Sequence, residues 1–461
     1  MILALLAALA LAASPVGWRG DGSGRFPDAT PPAQWSRTAG LLWQTDLASW
    51  SNAAPIATGG LVCTLTEPST VTCMDAGTGA VRWQGTNEVV DTLPEAQAAG
   101  LRGKLGRAEA LEEEHRELQR SYSEARRAAR GGGDVVAELE RIAARMTELR
   151  SVLNELAPYR TAQADRVIGW SSPTPVTDGT HLWAVFSTGV VSCWTLDGKK
   201  VWSRWLGASK GALKGYDGVP TASPRLVAGT LVVGFDTLRG LDPATGLDRW
   251  TAGPYADFGT PEVTVLDGRP LVLTPDGRVL DARDGRVLLE GLGDLWYSGP
   301  VVQGDRAYWG GTTSDEGRPP AWPTAVKAWR LRTQGDGLAA DPLWTVQLPV
   351  RHRFYSTPLA DGDRLVLVSR ERHLVVLDTA DGSLVGQREL EVDVPAEVWA
   401  SPQRVGPDWM VMTDQGHVLR LDRATLATKT VSRLERGLGN PLFVGGRVYV
   451  RGREHLFAVG R

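Results

Sequence analysis

Short apolar stretches, each bounded by turn residues, fill most of the chain and predict β-strands. Within a stretch, apolar side chains alternate with polar or small ones, and Gly, Pro, Asn or Asp stands at its ends. The pattern recurs with a period of about forty to fifty residues, which is typical of repeat architectures. Between residues 94 and 158 it changes to a helical period. The chain is therefore predicted to be an all-β repeat protein with one helical insertion.

The clearest copy of the repeat is GLDPATGLDRW at residues 240–250. Asp242 can accept a backbone N–H inside a tight turn, and Gly246 supplies a residue that tolerates positive φ. Trp250 follows on the next strand, where a large ring can pack between neighbouring sheets. The same frame stands at residues 73–83, where Asp75, Gly79 and Trp83 occupy the equivalent places. A shorter copy ends at Trp202. Trp43 and Trp344 are predicted to fill the same structural position.

Each repeat also opens with a small polar residue close before a proline. Eight such openings are present, at Pro55, Pro175, Pro224, Pro261, Pro300, Pro358, Pro402 and Pro441. Four strands for each opening predict an eight-bladed β-propeller of four-stranded antiparallel blades. The last unit lacks one strand, and the strand around Trp43 lacks a preceding turn. Pairing the two would close the ring and remove exposed sheet edges.

Residues 94–158 are predicted to form an antiparallel helical hairpin, a short coiled coil. In its second helix Val135, Leu139, Ile142, Met146, Leu149, Leu153 and Leu156 step by four and three. The segment 131–133 is Gly-Gly-Gly and separates the two helices. The predicted organisation is a signal peptide (1–14), an irregular arm (15–40), propeller (41–93), the hairpin (94–158) and propeller again (159–461).

Charge and composition exclude some functions. The net charge of −3 offers no basic field for nucleic acid. No run of eighteen apolar residues predicts a membrane span in the mature chain. Residues 2–13 are apolar and small, with a suitable cleavage sequence after them, although no Lys or Arg precedes them. We therefore expect a periplasmic or secreted protein, and a monomer.

The three cysteines allow one disulfide at most. Cys63 and Cys73 flank a hairpin almost symmetrically and could face each other. However, Cys73 and Cys193 hold equivalent repeat positions where a small buried residue is required. The repeat pattern therefore favours small buried thiols over a disulfide.

The repeat at residues 73–83 and 240–250 resembles the tryptophan-docking motif of PQQ-like, quinoprotein-like propellers. This resemblance implies that Trp43, Trp83, Trp202, Trp250 and Trp344 dock onto neighbouring blades, with Asp75, Asp242, Gly79 and Gly246 shaping the turns. It covers nearly the whole chain outside the hairpin. The family has an enzymatic branch and a non-catalytic branch, the latter including the propeller lipoprotein of the outer-membrane β-barrel assembly machinery. A fold does not fix a function, so the choice rests on site residues.

The enzymatic branch uses pyrroloquinoline quinone (PQQ), a disulfide between adjacent cysteines and calcium held by Glu, Asn and Asp. This sequence has no adjacent cysteine pair and no Cys-x-x-Cys-His haem motif, and no residues can be matched to the calcium ligands. We therefore expect no cofactor, no metal and no catalytic residue. A PQQ-dependent dehydrogenase for alcohols or sugars is the alternative. The expected function is that of an exported, non-catalytic scaffold that binds an envelope protein or peptide.

Two surfaces could carry such binding. Aromatic residues precede the opening proline in six repeats, and innermost propeller strands begin at one mouth of the channel. Trp50, Trp170, Phe258, Tyr297, Tyr355 and Trp399 are thus predicted either to plug this mouth or to form a platform for a peptide or sugar. The second candidate surface is the helical hairpin.

Overall fold

The computed structural model describes residues 15–130, 135–156, 159, 168–209, 220–255, 258–313, 324–350 and 352–460. The predicted signal peptide and the Gly-Gly-Gly break lie outside these residues. Eight antiparallel sheets, each with four blade strands, form the propeller, and one of them gains a fifth, parallel strand. Within each blade, neighbouring strands in the sheet follow one another in sequence, except in the closing blade. The predicted eight-bladed fold is confirmed.

Two strands precede the first blade, β1 (Arg25–Phe26) and β2 (Leu41–Asp46). Blade 1 contains β3 (Ile56–Thr58), β4 (Leu61–Thr66), β5 (Thr70–Asp75) and β6 (Val81–Thr86). A 3₁₀ turn (Val89–Thr92) leads into α1 (Glu95–Arg130) and α2 (Val136–Glu155). Blade 2 contains β7 (Val176–Thr177), β8 (His181–Val185), β9 (Val190–Thr195) and β10 (Lys200–Trp205). Blade 3 contains β11 (Arg225–Val227), β12 (Thr230–Phe235), β13 (Thr237–Leu241) and β14 (Asp248–Pro254).

The remaining blades follow the same order. Blade 4 contains β15 (Glu262–Leu266), β16 (Arg269–Leu273), β17 (Val279–Asp281) and β18 (Val287–Leu289). Blade 5 contains β19 (Val301–Gln303), β20 (Arg306–Thr312), β21 (Thr324–Gln334) and β22 (Gly337–Gln347). Blade 6 contains β23 (Leu359–Asp361), β24 (Arg364–Val368), β25 (His373–Asp378) and β26 (Leu384–Glu389). Blade 7 contains β27 (Gln403–Val405), β28 (Asp408–Met412), β29 (His417–Leu421) and β30 (Thr428–Arg433), and blade 8 contains β31 (Leu442–Val444), β32 (Arg447–Arg451) and β33 (His455–Val459).

The ring closes as the strand count predicts. Strand β2 completes blade 8 by pairing antiparallel with β33, and Trp43 lies opposite Ala458. The sheet edge that β33 would otherwise expose is thereby paired. The first strands of successive blades contact one another around the axis, as β11, β15, β19, β23 and β27 do. These strands therefore line the central channel.

Five tryptophans each reach from one blade to a turn of the next. Each indole N–H donates to a backbone carbonyl, at distances of 2.9–3.2 Å. The donor and acceptor pairs are Trp43–Ala76, Trp83–Leu196, Trp202–Pro243, Trp250–Ala282 and Trp344–Thr379. In each case the acceptor directly follows the aspartate position of the turn. The repeat thus positions both a ring and the carbonyl that receives it.

The turns leave room for these rings because they contain glycine. Gly79 and Gly246 have φ near +75° and +73°, and a Cβ on either would lie 2.6 Å from the ring of Trp43 or Trp202. In the same turns, Asp75 accepts the N–H groups of residues 77 and 78 at 2.9 Å. The bond from Arg82, together with these N–H groups, lowers the pKa of the Asp75 carboxyl. Asp242 makes the equivalent bonds to residues 244 and 245.

One prediction about the cysteines is wrong. Cys63 and Cys73 form a disulfide instead of remaining thiols. The two residues lie directly opposite each other on β4 and β5, with Cα atoms 4.1 Å apart, and both are fully buried. Directly opposed residues of an antiparallel pair bring their Cβ atoms close enough for a bond. Cys193 remains a buried free thiol, and burial raises its pKa to about 12.

The insertion between blades 1 and 2 is a pair of packed helices. Ala108, Ile142 and Leu149 are buried in it, and Arg145 bonds to Glu114 across the two helices at 2.7 Å. At the base, a small apolar cluster joins α1 to the 3₁₀ turn through Val90 and Leu101. Neither of the two described helices combines the length and the apolar character needed to cross a membrane.

Candidate functional site

The residue directly before each opening proline faces its equivalents around the channel axis. The eight positions are Ala54, Thr174, Ser223, Thr260, Gly299, Thr357, Ser401 and Asn440. Seven of these side chains or backbones line one central cavity of about 580 Å³. These residues are small because eight strand ends converge at this point, where larger side chains would fill the channel.

These positions are joined by hydrogen bonds from blade to blade. The backbone N–H of one position donates to the side-chain oxygen of the next, at 2.9–3.3 Å. The six bonds run from Ala54 to Thr174, Thr174 to Ser223, Ser223 to Thr260, Gly299 to Thr357, Thr357 to Ser401 and Ser401 to Asn440. Ala54 and Gly299 have no side-chain oxygen, so the series is interrupted at these two places.

Aromatic rings gather on one side of this cavity. Phe258 and Tyr297 have ring centroids 5.3 Å apart, Tyr297 and Tyr355 are 4.3 Å apart, and Tyr355 and Trp399 are 4.6 Å apart. Trp296 stacks on Tyr297 at 5.6 Å. All five are half-buried and line the cavity. We call these five residues the aromatic wall; it extends from blade 4 to blade 7.

Two of the six candidate aromatic residues are placed elsewhere. Neither Trp50 nor Trp170 lines the cavity. The Arg453 guanidinium lies 4.9 Å from the Trp50 ring, and the backbone N–H of Trp170 donates to the carboxylate of Glu67 at 2.8 Å. Both residues stand five positions before their proline, two more than the others. The longer spacing carries their rings away from the channel axis.

The opposite side of the cavity carries both polar and apolar residues. It consists of Asn52, Ala54, Ile168, Ser172, Leu438, Gly439 and Asn440, from blades 8 and 1 and the segment that enters blade 2. We call its three polar members, Asn52, Ser172 and Asn440, the polar wall. Asn52 donates to the carbonyl of Ile168 at 3.0 Å, and Asn440 to the carbonyl of Ser401 at 2.7 Å.

The N-terminal arm closes the other end of the channel. Val16 pairs with Thr177 at the end of β7, and β1 pairs in parallel with residues 404 and 405 of β27. Between these contacts the arm crosses the channel from blade 2 to blade 7, and Trp18 forms part of the cavity lining. The arm thus closes the base of the cavity.

Buried charges hold the arm in place. Arg19 is 2% exposed, and its guanidinium donates to the carbonyl of Pro402 at 3.2 Å. Arg225 donates to the carbonyls of Trp18 and Asp21 and lies 3.8 Å from Glu262. Burial lowers the pKa of Arg19 to about 10 and raises the pKa of Glu262.

Three features of the site have weak sequence signals. Trp18 belongs to an arm without periodicity, so its place in the cavity depends on the path of the chain. Trp296 adjoins Tyr297 and could have been included on that ground. The residues before the prolines are visible as a pattern, but their hydrogen bonds from blade to blade depend on the ring geometry.

The cavity does not fit pyrroloquinoline quinone and calcium. None of the described residues that line it is Asp, Glu, Lys, Arg, His or Cys. Calcium prefers carboxylate and carbonyl oxygens, and the quinone carries carboxylates that call for cationic partners. The disulfide of Cys63 and Cys73 lies within blade 1, away from the lining, and its cysteines are not adjacent in sequence. We derive no catalytic step through this cofactor.

A group of three possible metal ligands lies elsewhere, at Glu435, Glu454 and His455. The Glu435 carboxylate already accepts from Arg37 at 3.2 Å, from the Glu454 N–H at 2.5 Å and from His455 at 2.5 Å. These bonds link the arm to blade 8, which accounts for the cluster without a metal.

Comparison with known proteins gives one family. The family model described as outer membrane protein assembly factor BamB matches residues 33–108 and 338–459. Between these two parts, residues 109–337 are unmatched; they include most of the helical insertion, blades 2 to 4 and the first three strands of blade 5. No curated protein matches the chain. The resemblance to PQQ-like propeller repeats is confirmed by this match.

One solved structure supports the fold. The crystal structure of BamB from Moraxella catarrhalis is 11% identical, covers 91% of this chain and 99% of that chain, and has a TM-score of 0.54. Quinohemoprotein alcohol dehydrogenase from Comamonas testosteroni is also 11% identical and covers 91% of this chain and 76% of that chain. Its TM-score of 0.41 is too low to support a structural conclusion. At this identity the likeness shows the propeller fold alone.

Proposed function

We propose that this PQQ-like propeller is an exported, non-catalytic scaffold that binds a protein partner in the cell envelope. The observation that carries the proposal is the chemistry of its channel. The described lining residues include no carboxylate or imidazole to act as a general base at neutral pH, no carboxylate to balance the charge of calcium, and no cationic side chain to pair with an anionic quinone. The family model, named for an assembly factor, supports a role in binding other proteins.

The disulfide supports export. Cytosolic proteins seldom keep disulfides, whereas periplasmic and secreted proteins form them readily. Cys63 and Cys73 are both fully buried, so their bond is shielded from reductants. Export can be tested on protein purified from its own cells by sequencing the mature N-terminus and alkylating thiols before and after reduction. Cleavage near residue 14 and a protected Cys63–Cys73 pair are expected; an intact N-terminus with free thiols would place the protein in the cytoplasm.

The helical pair is the proposed partner surface. Helix α1 has 36 residues and is therefore about 54 Å long. Its base packs on the 3₁₀ turn through Val90 and Leu101, and Lys200 of blade 2 lies 3.8 Å from Asp91 of that turn. Its outer face is exposed, and Arg120, Arg126, Arg127 and Arg130 lie on its second half. A long ordered arm costs conformational entropy that binding can offset.

Site-specific photo-crosslinking in the native cells tests this surface. Photoreactive residues replace Gln119 and Arg126 on α1, and replace Leu247, which is exposed on a blade 3 turn, as the matched control. We expect the same envelope protein, identified by mass spectrometry, at both helical positions and not at the control. Equal labelling at Leu247, or none on α1, would refute the hairpin as the partner surface.

A shortened variant separates binding from folding. Replacing residues 109–150 by a short Gly/Ser linker keeps the base cluster of Val90 and Leu101. The propeller should keep its unfolding free energy to within about 1 kcal/mol, because the removed part packs mainly on itself. The crosslinks should disappear. If the shortened variant does not fold, the helices are structural and the assignment to binding is wrong.

The cofactor proposal has its own test. Titration of the purified protein with pyrroloquinoline quinone and calcium, followed by calorimetry and by dye-linked alcohol oxidation, should give neither saturable heat nor dye reduction. Binding with turnover would show that the protein is a PQQ-dependent dehydrogenase and not a non-catalytic scaffold. Binding without turnover would show that charged groups outside the described lining hold the quinone.

A further inference from the structure

The central cavity has two chemically different walls. The aromatic wall presents five half-buried rings whose centroids follow one another at 4.3–5.6 Å. Rings held against one another in this way lose little entropy when a ligand stacks on them, because they are already ordered. A flat apolar surface of this kind suits a ligand with an equally flat face of C–H groups.

The polar wall lies across the cavity from these rings. It supplies the amide groups of Asn52 and Asn440 and the hydroxyl of Ser172. Threonine and serine hydroxyls from positions 174, 221, 223, 260, 357 and 401 add to the lining between the walls. Amides and hydroxyls can both donate and accept hydrogen bonds. The hydroxyl oxygens at positions 174, 223, 260, 357 and 401 each accept one backbone N–H, and the amides of Asn52 and Asn440 donate to carbonyls. A ligand hydroxyl would bond to the remaining donor and acceptor capacity of these groups.

The described residues that line the cavity carry no charged side chain. Among the described residues that line it, the titratable groups are the phenols of Tyr297 and Tyr355. Burial raises the pKa of Tyr355, so that this phenol stays neutral at physiological pH. Two cations lie beside Trp18 at the base: the Arg19 guanidinium is 5.2 Å from its ring, and Arg225 donates to its carbonyl at 3.3 Å. At the aromatic wall, Arg353 and Arg370 lie 5.6 and 5.8 Å from the Tyr355 ring. Arg353 approaches Glu371 at 3.7 Å and Arg370 bonds to Glu397, so both carry an acidic partner. The lining therefore favours a neutral ligand over an anion.

Size and access limit the ligand further. The cavity of about 580 Å³ is within the usual range of small-molecule sites, about 300–1,000 Å³. Trp18 forms part of the base, so a ligand would enter from the opposite end of the channel. The indole of Trp18 at the base and the side chains of the aromatic wall can contact two neighbouring cyclic units of one ligand.

We propose that this cavity binds a neutral saccharide of about two sugar units. A pyranose ring has one face of C–H groups, which stacks on the aromatic wall, and an edge of hydroxyls, which bonds to the polar wall. An uncharged peptide shares the apolar part of this chemistry, but it lacks the many hydroxyls that the lining can satisfy. The proposal stands independently of the helical partner surface.

Binding of three neutral disaccharides, maltose, cellobiose and N,N′-diacetylchitobiose, to the full chain tests the proposal. Isothermal titration and tryptophan fluorescence should show saturable binding of at least one, with a Kd of about 1 mM or tighter. Trp399→Ala and Tyr297→Ala should each weaken that binding about tenfold. Trp399→Phe and Tyr297→Phe keep a ring and should weaken it less.

Trp50→Ala is the matched control, because Trp50 is also half-buried but does not line the cavity. It should leave the Kd unchanged. Urea unfolding of each variant verifies that the propeller is intact. The proposal is overturned if no disaccharide binds at about ten times that concentration, or if Trp50→Ala weakens binding as much as Trp399→Ala. Saturable binding of the uncharged peptide GFGYG in place of the sugars would also overturn it, in favour of a peptide site.

Discussion

The two ends of the central channel are built for different purposes. At the closed end, the arm is fixed by strand pairing, by bonds from Arg225 and by the nearly inaccessible side chains of Arg19 and Glu262. At the open end, rings such as Tyr355 and Trp399 contact each other but remain half exposed. The comparison shows that the same eight-bladed ring buries charged side chains at one end and leaves aromatic rings half-buried at the other.

Burial explains the difference. A buried charge is costly unless it is paired, so Arg19, Arg225 and Glu262 must occupy a single arrangement. A half-exposed aromatic ring costs little and can exchange water for a ligand. Stability should therefore depend strongly on the closed end, and ligand binding on the open end.

Removal of the arm should have the largest effect. A variant that lacks residues 1–26 loses β1 and exposes Arg225, Glu262 and the apolar surface under Phe26, whose ring lies 5.6 Å from that of Phe443. Burial of one aromatic side chain alone contributes up to about 4 kcal/mol. Urea unfolding should show that the free energy of unfolding falls by an amount of this order. An unchanged urea midpoint would show that the arm does not contribute to the stability of the propeller.

The free energy of unfolding should depend on pH through the buried carboxyl of Glu262. Because burial raises the pKa of Glu262, the folded state holds this proton more tightly than the unfolded state. The resulting stability is present below the unfolded pKa, about 4.3, and is lost as the pH rises through the folded pKa. The unfolding free energy of the wild type minus that of Glu262→Gln should therefore fall as the pH rises.

Urea unfolding of both proteins from about pH 4 to about pH 7 measures this difference. The carboxyls of the turns, such as Asp75, have lowered pKa values and lose their stabilisation as the pH falls. They are common to both proteins, so their contribution cancels in the difference. A difference that rises with pH would contradict the assignment.

Trp399→Ala should have a smaller effect on stability, about 1 kcal/mol or less, because its ring is half-buried and lines a cavity. Trp250→Ala provides the contrast: that ring is 7% exposed and bonds to the carbonyl of Ala282, and its loss should cost about 3–5 kcal/mol. Equal losses in the two variants would mean that the aromatic wall is core and not a binding surface.

The smallest expected effect is that of pH on ligand binding at the open end. The described lining contains no group that titrates between about pH 5 and about pH 8. The disaccharide Kd should therefore be constant over this range in isothermal titration. A change of tenfold would indicate that a titratable group outside the described lining contacts the ligand.

Local patterns sufficed for much of the fold. The turn at residues 240–250 predicts its own geometry, because the Asp242 bonds and the positive φ of Gly246 are properties of neighbouring residues. The closing pair of β2 and β33 followed from counting strands, since an open ring would leave an edge unpaired. Helix α1 covers Glu95–Arg130, within the segment for which the sequence predicts helices.

The site was only partly predictable. Phe258, Tyr297, Tyr355 and Trp399 share a spacing of three residues before proline, and the structure brings them together. Trp50 and Trp170 have a different spacing and lie elsewhere. The bond between Cys63 and Cys73 was not favoured, because the repeat explains a small residue at position 73 but says nothing of its cross-strand neighbour.

The sequence by itself therefore determined the number of blades, the turns and the rings that reach from blade to blade, since each depends on residues close together in the chain. The tertiary structure alone decided the path of the arm, the pairing of Arg225 with Glu262 and the place of Trp18 at the base of the cavity. These contacts join residues up to several hundred positions apart, and they form only once the ring has closed and its axis defines which side chains meet.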